Sequence, residues 1–325
     1  MGGRAMVALD IPPTPTLDAI DRAYVEKQSS QAPRGYLGAS IIGKPCERAL
    51  WYGFRLGISG GVSAFSGRML RLFETGHLYE PRLIEWLRMT GATVHDSNPD
   101  TGDQWAVNAI NGHFRGHMDG LVEGLLEAPK AVHVAEFKTH NAKSFAQLQR
   151  HGVAIAKPEH VAQMQVYMHL GGYTRAVYLA ANKDTDDLYL ERIHYDVAHA
   201  NAIMAKAERI IYSDSAPLKI SDDAESFACR FCDFKAHCHY QAWSPRNCRT
   251  CGHSKPGDYG PQWDCERHGN VLSFDDQRAG CPHHLYIPSL VAGDQIDADP
   301  HAETVTYLML DGSHFVDGAD RAVSP

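Results

Sequence analysis

The sequence predicts a mixed α/β protein, a mixed central sheet flanked by helices, with a small cysteine-rich zinc-binding module attached. Three observations carry that expectation. Helix-period stretches alternate with short β-rich runs up to about residue 220. Asn111-Gly112 separates two such runs as a hairpin signal. After Ser221 the chain turns rich in Cys and His, the mark of a region organised by metal.

Taken in order, residues 1–34 read as a flexible lead-in with a short helix over 17–27. A turn at Lys44-Pro45 feeds a helix ending near Tyr52, and Gly57 to Gly61 breaks the chain. Residues 66–89 form the strongest helical pattern. Phe73, His77, Glu80, Ile84 and Leu87 recur at steps of four and three and so share a stripe. A glutamate on such a stripe needs a partner. Residues 105–110 and 113–122 read as the two arms of a hairpin, and 132–139 as the next strand. Residues 141–149 run from loop into helix, and Pro158 opens a helix to Leu170. Strands over 175–181 and 188–195 flank a polar turn, and 197–212 is a long amphipathic helix. The acidic end, from Val291, closes in a hairpin over 304–316. The implied division is 35–245 as the main domain, 246–290 as the zinc module and 291–325 as an acidic C-terminal hairpin or tail.

Of the 325 residues, 44% are hydrophobic and 22% charged, the balance of a globular chain with a sizeable core. No apolar run is long enough to cross a bilayer, and the first residues lack a basic start followed by an apolar stretch, so a cytoplasmic setting is expected. The net charge of −8 excludes a surface coated with positive charge. It leaves room for a local groove in which bound cations meet phosphate.

Candidate chemistry centres on the strand His133-Val134-Ala135-Glu136-Phe137-Lys138-Thr139. Side chains alternate, so Glu136 and Lys138 point one way and Ala135 and Phe137 the other. A carboxylate and an ammonium on a buryable strand indicate either an ion pair or a metal-and-water site. An antiparallel neighbour can bring Asp119 beside Glu136. Converging carboxylates hold Mg²⁺ or Mn²⁺, which can acidify a water and offset charge on a phosphodiester. Gln163 and Tyr167, four apart on the next helix, are neighbours on one face.

In this order, Gly116-x-x-Asp119, Glu136-x-Lys138 and Gln163-x-x-x-Tyr167 resemble the PD-(D/E)XK nuclease superfamily in its RecB-like branch. Glu80, four residues after Gly76 and followed by Pro81, resembles the helix glutamate of YqaJ-type phage recombination exonucleases. His77 is similar to the helix histidine that ligates metal in bacterial RecB-like enzymes, at a shorter offset from the glycine. The residue before Asp119 is Met118, where other branches have proline. The resemblance spans roughly residues 35–240 and implies a restriction-endonuclease-like core. It implies that Asp119 and Glu136, with Glu80 or His77, ligate Mg²⁺ or Mn²⁺, that Lys138 is catalytic, and that Gln163 and Tyr167 contact the DNA strand. The implied activity is a metal-dependent exonuclease acting on DNA ends in recombination or repair. The implied source is a bacteriophage, and the implied kind of partner a recombination annealing protein or a helicase.

Eight cysteines in a cytosolic chain point to metal binding. Cys229-x₂-Cys232-x₅-Cys238 with the distant Cys46 resembles the split four-cysteine arrangement of iron–sulfur RecB-like nucleases, which implies a [4Fe–4S] cluster. Zn²⁺ on the same four sulfurs is the rival reading. Cys248-x₂-Cys251-x₁₃-Cys265-x₁₅-Cys281 reads as a zinc site, with His253, His268, His283 and His284 as competing ligands. The alternative function is a nucleic-acid-binding or assembly protein that keeps the fold without catalysis. The four charges Glu80, Asp119, Glu136 and Lys138 speak against it. A redox role lacks an accompanying glycine-rich nucleotide motif.

Overall fold

A computed structural model describes residues 14–29, 34–57 and 65–318. The lead-in call for 1–13 and 30–33, the glycine break at 58–61 and the end of the tail, 319–325, lie outside the described residues. The fold class is mixed α/β. Its elements are helix α1 (Pro15–Ser29), strand β1 (Leu37–Gly38), α2 (Glu47–Leu56), α3 (Gly67–Met89), β2 (Thr93–His95), β3 (Ala106–Ala109), β4 (Phe114–His117), β5 (Gly120–Glu123), β6 (His133–His140), α4 (Ala142–Ala156), α5 (Pro158–Gly171), β7 (Arg175–Asn182), β8 (Leu188–His194) and α6 (Val197–Ile211). The cysteine-rich part adds α7 (Lys235–His239), β9 (Ser254–Pro256), β10 (Trp263–Cys265), β11 (Asn270–Leu272) and α8 (Phe274–Ala279). The chain ends in β12 (Gly293–Asp299), β13 (Thr304–Met309) and β14 (His314–Asp317).

The central sheet runs in the order β2-β5-β6-β7-β8. β6 and β7 pair in parallel, and the other neighbours are antiparallel. The parallel pair requires a crossover, which α4 and α5 supply. α3 lies on the opposite face, where Leu83, Ile84 and Leu87 pack with Ala135, Phe137, Val177 and Leu179. β6 and β7 are therefore buried on both faces, which explains their near-continuous apolar reading.

Four elements differ from the sequence expectation. The run 113–122 is two strands in two sheets. β4 pairs with β3 and β1, whereas β5 pairs with β2 and β6. The Met118 N–H donates to the Trp105 carbonyl at 2.9 Å, closing the small sheet, and the chain turns at Asp119. Asn111-Gly112 is not a two-residue turn. The last pair is Ala109–Phe114, and residues 110–113 form the loop, with Ile110 and Asn111 at φ 50° and 54°.

The stripe of α3 is buried only in its second half. Ile84 and Leu87 face the sheet, while Phe73 and His77 are exposed. α1 packs on α3 instead, and Arg71 pairs with Asp21. α4 continues to Ala156 past a break at Gly152, where φ is +73° and the Val153 N–H donates to the Glu191 carboxylate at 2.8 Å.

The cysteine-rich region and the C-terminal strands share the main hydrophobic cluster with α2 and α5. Trp263, Leu272, Tyr286, Ile287 and Tyr307 are buried with Trp51, Phe54 and Tyr167. Two buried guanidinium groups lie against Trp263, those of Arg249 at 3.8 Å and Arg55 at 4.8 Å from its ring centre. Arg249 donates to the carbonyls of Phe54 and Gly35, and Arg55 to those of Ser254 and Ser213. These bonds cross between α2 and the cysteine-rich region in both directions. No helix among the described residues is long and apolar enough to cross a membrane.

Candidate active site

β6 sets the centre. Glu136, Lys138 and His140 alternate onto the face covered by α4 and α5, opposite Ala135 and Phe137. Glu136 is 0% exposed and forms an ion pair with Lys138. Its second oxygen, Oε2, is buried with no hydrogen-bond partner among the described residues. Burial pushes the Glu136 carboxyl up to about 8. Lys138 opposes that rise and the charge of Asp119 adds to it. For Lys138 burial works against the charge, but Glu136, Asp119 and Glu80 outweigh it and hold the ammonium above its ordinary value.

Asp119 arrives through the break between β4 and β5. Gly120 pairs with Ala135, so the next step of the antiparallel ladder sets Asp119 opposite Glu136. The Phe137 N–H donates to Asp119 Oδ2 at 2.7 Å and fixes the carboxylate. Glu80 comes from α3, on the other side of the sheet. Burial raises its carboxyl, and the charge of Asp119 raises it further. His77, one turn earlier, is exposed. Three carboxylates and one ammonium from three separate segments thus act on one another.

This donor set fits a hard divalent cation. It offers oxygen ligands, a surplus of negative charge and a buried carboxylate oxygen with no other partner. Among the described residues no group of three or more His, Cys, Asp and Glu side chains is placed so as to hold a metal ion. The carboxylates meet electrostatically.

α5 walls the site. Gln163 and Tyr167 lie on it as expected, but both are buried, and the Gln163 amide donates to the Tyr167 hydroxyl at 2.9 Å. The His117 N–H also bonds that hydroxyl. The expected direct contact with a DNA strand therefore meets two side chains already bonded inside the wall. Tyr167 fills the space beside Gly116, where an added Cβ would lie 2.5 Å from its ring.

A polar group the sequence reading missed lies behind Lys138. The Tyr178 hydroxyl is 2.8 Å from His140 Nε2 and 2.9 Å from His160 Nδ1. Burial, with Lys138 contributing, lowers both imidazoles, His140 to about 4 and His160 to about 3. Both are neutral near pH 7. The signal was present in the alternation, since His140 follows Glu136 and Lys138 at steps of two.

The cysteines gather in two groups. Cys232 and Cys238 are raised first by burial, and Cys46 and Cys229 are near enough to add to the rise. Cys46 sits at the start of α2, a segment tied to α6 by Lys206, whose ammonium donates to the Ile42 and Lys44 carbonyls. In the second group burial pushes Cys248 up to about 12, with Cys251, Cys281 and Cys265 adding to it. Cys248, Cys251 and Cys265 are buried and Cys281 is exposed. His268 Nε2 lies 3.7 Å from Cys281 Sγ. His284 is buried, with Nε2 2.9 Å from the Thr250 hydroxyl. The thiols of each group disfavour one another's ionisation, and among the described residues they do not form a set placed to hold a metal ion.

No family model and no curated protein matches this sequence. Among solved structures, an alkaline exonuclease from Laribacter hongkongensis is 17% identical, with a TM-score of 0.40 over 59% of this chain and 90% of its own. The same exonuclease in complex with dAMP gives 0.39. The protein SSO0001 is 15% identical, with a TM-score of 0.42 over 70% of this chain and 98% of its own.

Proposed function

We propose that this chain is a divalent-metal-dependent deoxyribonuclease, an exonuclease that hydrolyses phosphodiester bonds at DNA ends. The observation that carries the reading is Glu136, a buried carboxylate with one oxygen unpartnered, set between Lys138 and Asp119. Glu136, Asp119 and Glu80 would hold Mg²⁺ or Mn²⁺. Bound there, the ion would supply positive charge to the scissile phosphate and acidify a water. The Lys138 ammonium donates hydrogen bonds toward the same space and offsets charge developing on the phosphate oxygens. The Phe137 N–H keeps Asp119 aimed, and Gln163 with Tyr167 shapes the wall and excludes water.

The first cysteine group would hold a [4Fe–4S] cluster, and the second Zn²⁺. Both groups lie at the junction of α2 with the later chain, so each metal would clip the start of the main domain to its end. Phage origin and partnership with an annealing protein or helicase remain part of the same proposal, supported by the sequence resemblance alone.

The test is digestion of end-labelled linear DNA in Mg²⁺ or Mn²⁺ after anaerobic purification, with circular DNA as control. Digestion should require the metal and an end, and should fall by at least about 10³-fold in Glu136→Ala and Lys138→Ala, the scale of losing charge stabilisation in a transition state. Unimpaired digestion by both folded variants would remove the site from consideration. Iron and sulfide assays on the same preparation separate the cluster from zinc.

A further inference from the structure

A cleft of about 630 Å³ opens beside this site, on the outer face of the β3–β4 hairpin. Its lining contains one arginine, one histidine, two asparagines and no carboxylate, in a chain whose net charge is −8. Asn108 and Arg115 are cross-strand partners, and Ala106 pairs with His117, so Asn108, Arg115 and His117 share that outer face. Asp119 follows His117 by two residues. A row of phosphate-compatible groups therefore leads along β4 to the proposed metal ligand.

Arg115 is held ready. Its Nε donates to the Gly112 carbonyl at 2.7 Å, and its guanidinium lies over the Tyr36 ring at 5.5 Å. That geometry restrains the plane of the guanidinium, with Nη2 also lying against Gly112. A fixed, planar guanidinium suits bidentate phosphate binding, and the Tyr36 ring beside it suits a stacked base. The cysteine-rich region supplies the far wall. Gly260 and Pro261 line the cleft, and Pro261 lies against Gly112.

Resting on the nuclease reading, we propose that this cleft is the subsite for one nucleotide of the DNA strand entering the metal site. Arg115 takes the phosphate, Tyr36 and the guanidinium face take the base, and Asn108 with His117 bonds its polar edge. The strand then passes along β4 over Gly116, with Tyr167 behind it, to Asp119. The same chemistry would also suit a released mononucleotide, so the two sources need separate arms.

The experiment measures binding of a fluorescent single-stranded oligonucleotide to the full-length chain carrying Glu136→Gln, which blocks digestion. Arg115→Ala and, separately, Asn108→Asp are added to that background, with circular dichroism as a check on folding. Asn108 is exposed, so its variant decides the matter if Arg115→Ala does not fold. Each change should weaken binding at least tenfold. Arg115→Ala should also reduce the slope of log K against log salt by about 0.7, the value for one phosphate contact on a single strand.

Unchanged affinity in the folded variants, while the wild-type chain still digests DNA, overturns the subsite and leaves the nuclease standing. A wild-type chain that neither binds nor digests DNA in Mg²⁺ or Mn²⁺ overturns both. In the second arm thymidine 5′-monophosphate competes with the oligonucleotide. Only weak competition is expected. Tight mononucleotide binding lost in Arg115→Ala, with oligonucleotide affinity unchanged, would overturn the strand reading and make the cleft a product site.

Discussion

Asp119 and Phe137 are joined across β5 and β6 by a 2.7 Å hydrogen bond from the backbone N–H to Oδ2. That bond turns a chain break into a positioned carboxylate. Asp119→Asn keeps an oxygen acceptor for the N–H but removes the charge. Digestion should fall by about 10²-fold or more, the cost of losing one charge-stabilising group, while the far-ultraviolet dichroism is unchanged. Relief of repulsion should lower the carboxyl pKa values of Glu80 and Glu136, readable by NMR of labelled glutamate. Unmoved titrations would show that the three carboxylates do not share a site.

Stability of the metal-free protein should depend on Glu136. Its folded pKa, about 8, lies above the ordinary value of 4.5, because burial disfavours the anion. Between those limits the folded state binds more protons than the unfolded state, so stability falls as pH rises, by at most about 1.4 kcal/mol per unit. The contribution is complete below the unfolded pKa and gone above the folded one. A divalent ion must displace that proton, so Mn²⁺ affinity should rise with pH over the same window, up to about tenfold per unit. Titration calorimetry in chelator-treated protein reads this. Affinity independent of pH would show Glu136 already ionised.

Removing the charges together should separate stability from activity. In Glu136→Gln with Lys138→Met, two uncharged side chains replace the ion pair. The metal-free double variant should be as stable as the wild type or up to about 2 kcal/mol more stable, since replacing a buried pair is often neutral or stabilising. It should not digest DNA. Chemical denaturation of the two proteins makes the comparison. A large loss of stability would make the pair structural.

Gly116→Ala should disturb the wall. The added Cβ would lie 2.5 Å from the Tyr167 ring and 2.7 Å from the Ala39 Cβ. Overpacking of this kind costs about 1–3 kcal/mol. Tyr167→Leu on top of it should recover part of the loss, a coupling that a double-mutant cycle measures. Strict additivity would mean that the strands, not the tyrosine, absorb the strain.

Disruption of the second cysteine group should reach the main domain. Cys248 and Cys265 share a buried cluster with Trp263, against which Arg55 of α2 and Arg249 both pack. Cys251→Ser should therefore lower the melting temperature of the whole chain in one transition and shift Trp fluorescence to the red. A separate low-temperature transition that leaves digestion intact would make the zinc-type region an independent unit.

Local pattern accounts for α1 to α6 and for most strands of the main sheet, but not for the short helices α7 and α8. Periodicity also put Glu136 and Lys138 on one face of β6, and Gln163 and Tyr167 on one face of α5. Those are local facts, because alternation and helical spacing depend only on residues a few positions apart. Tertiary structure decided the rest. It split the run 113–122 between two sheets, which is how Asp119 comes to face Glu136 from a turn. It exposed His77 and brought Glu80 toward Asp119 from the far side of the sheet, a choice the helix stripe could not make because both residues lie on it. It buried Gln163 and Tyr167 against each other, joined His140 to Tyr178 and His160, and fused the cysteine-rich region to α2 through two arginines and a tryptophan. Most of these depend on which surfaces meet beyond the reach of a strand or helix repeat, across almost two hundred residues where α2 meets the cysteine-rich region, and no local pattern encodes that pairing.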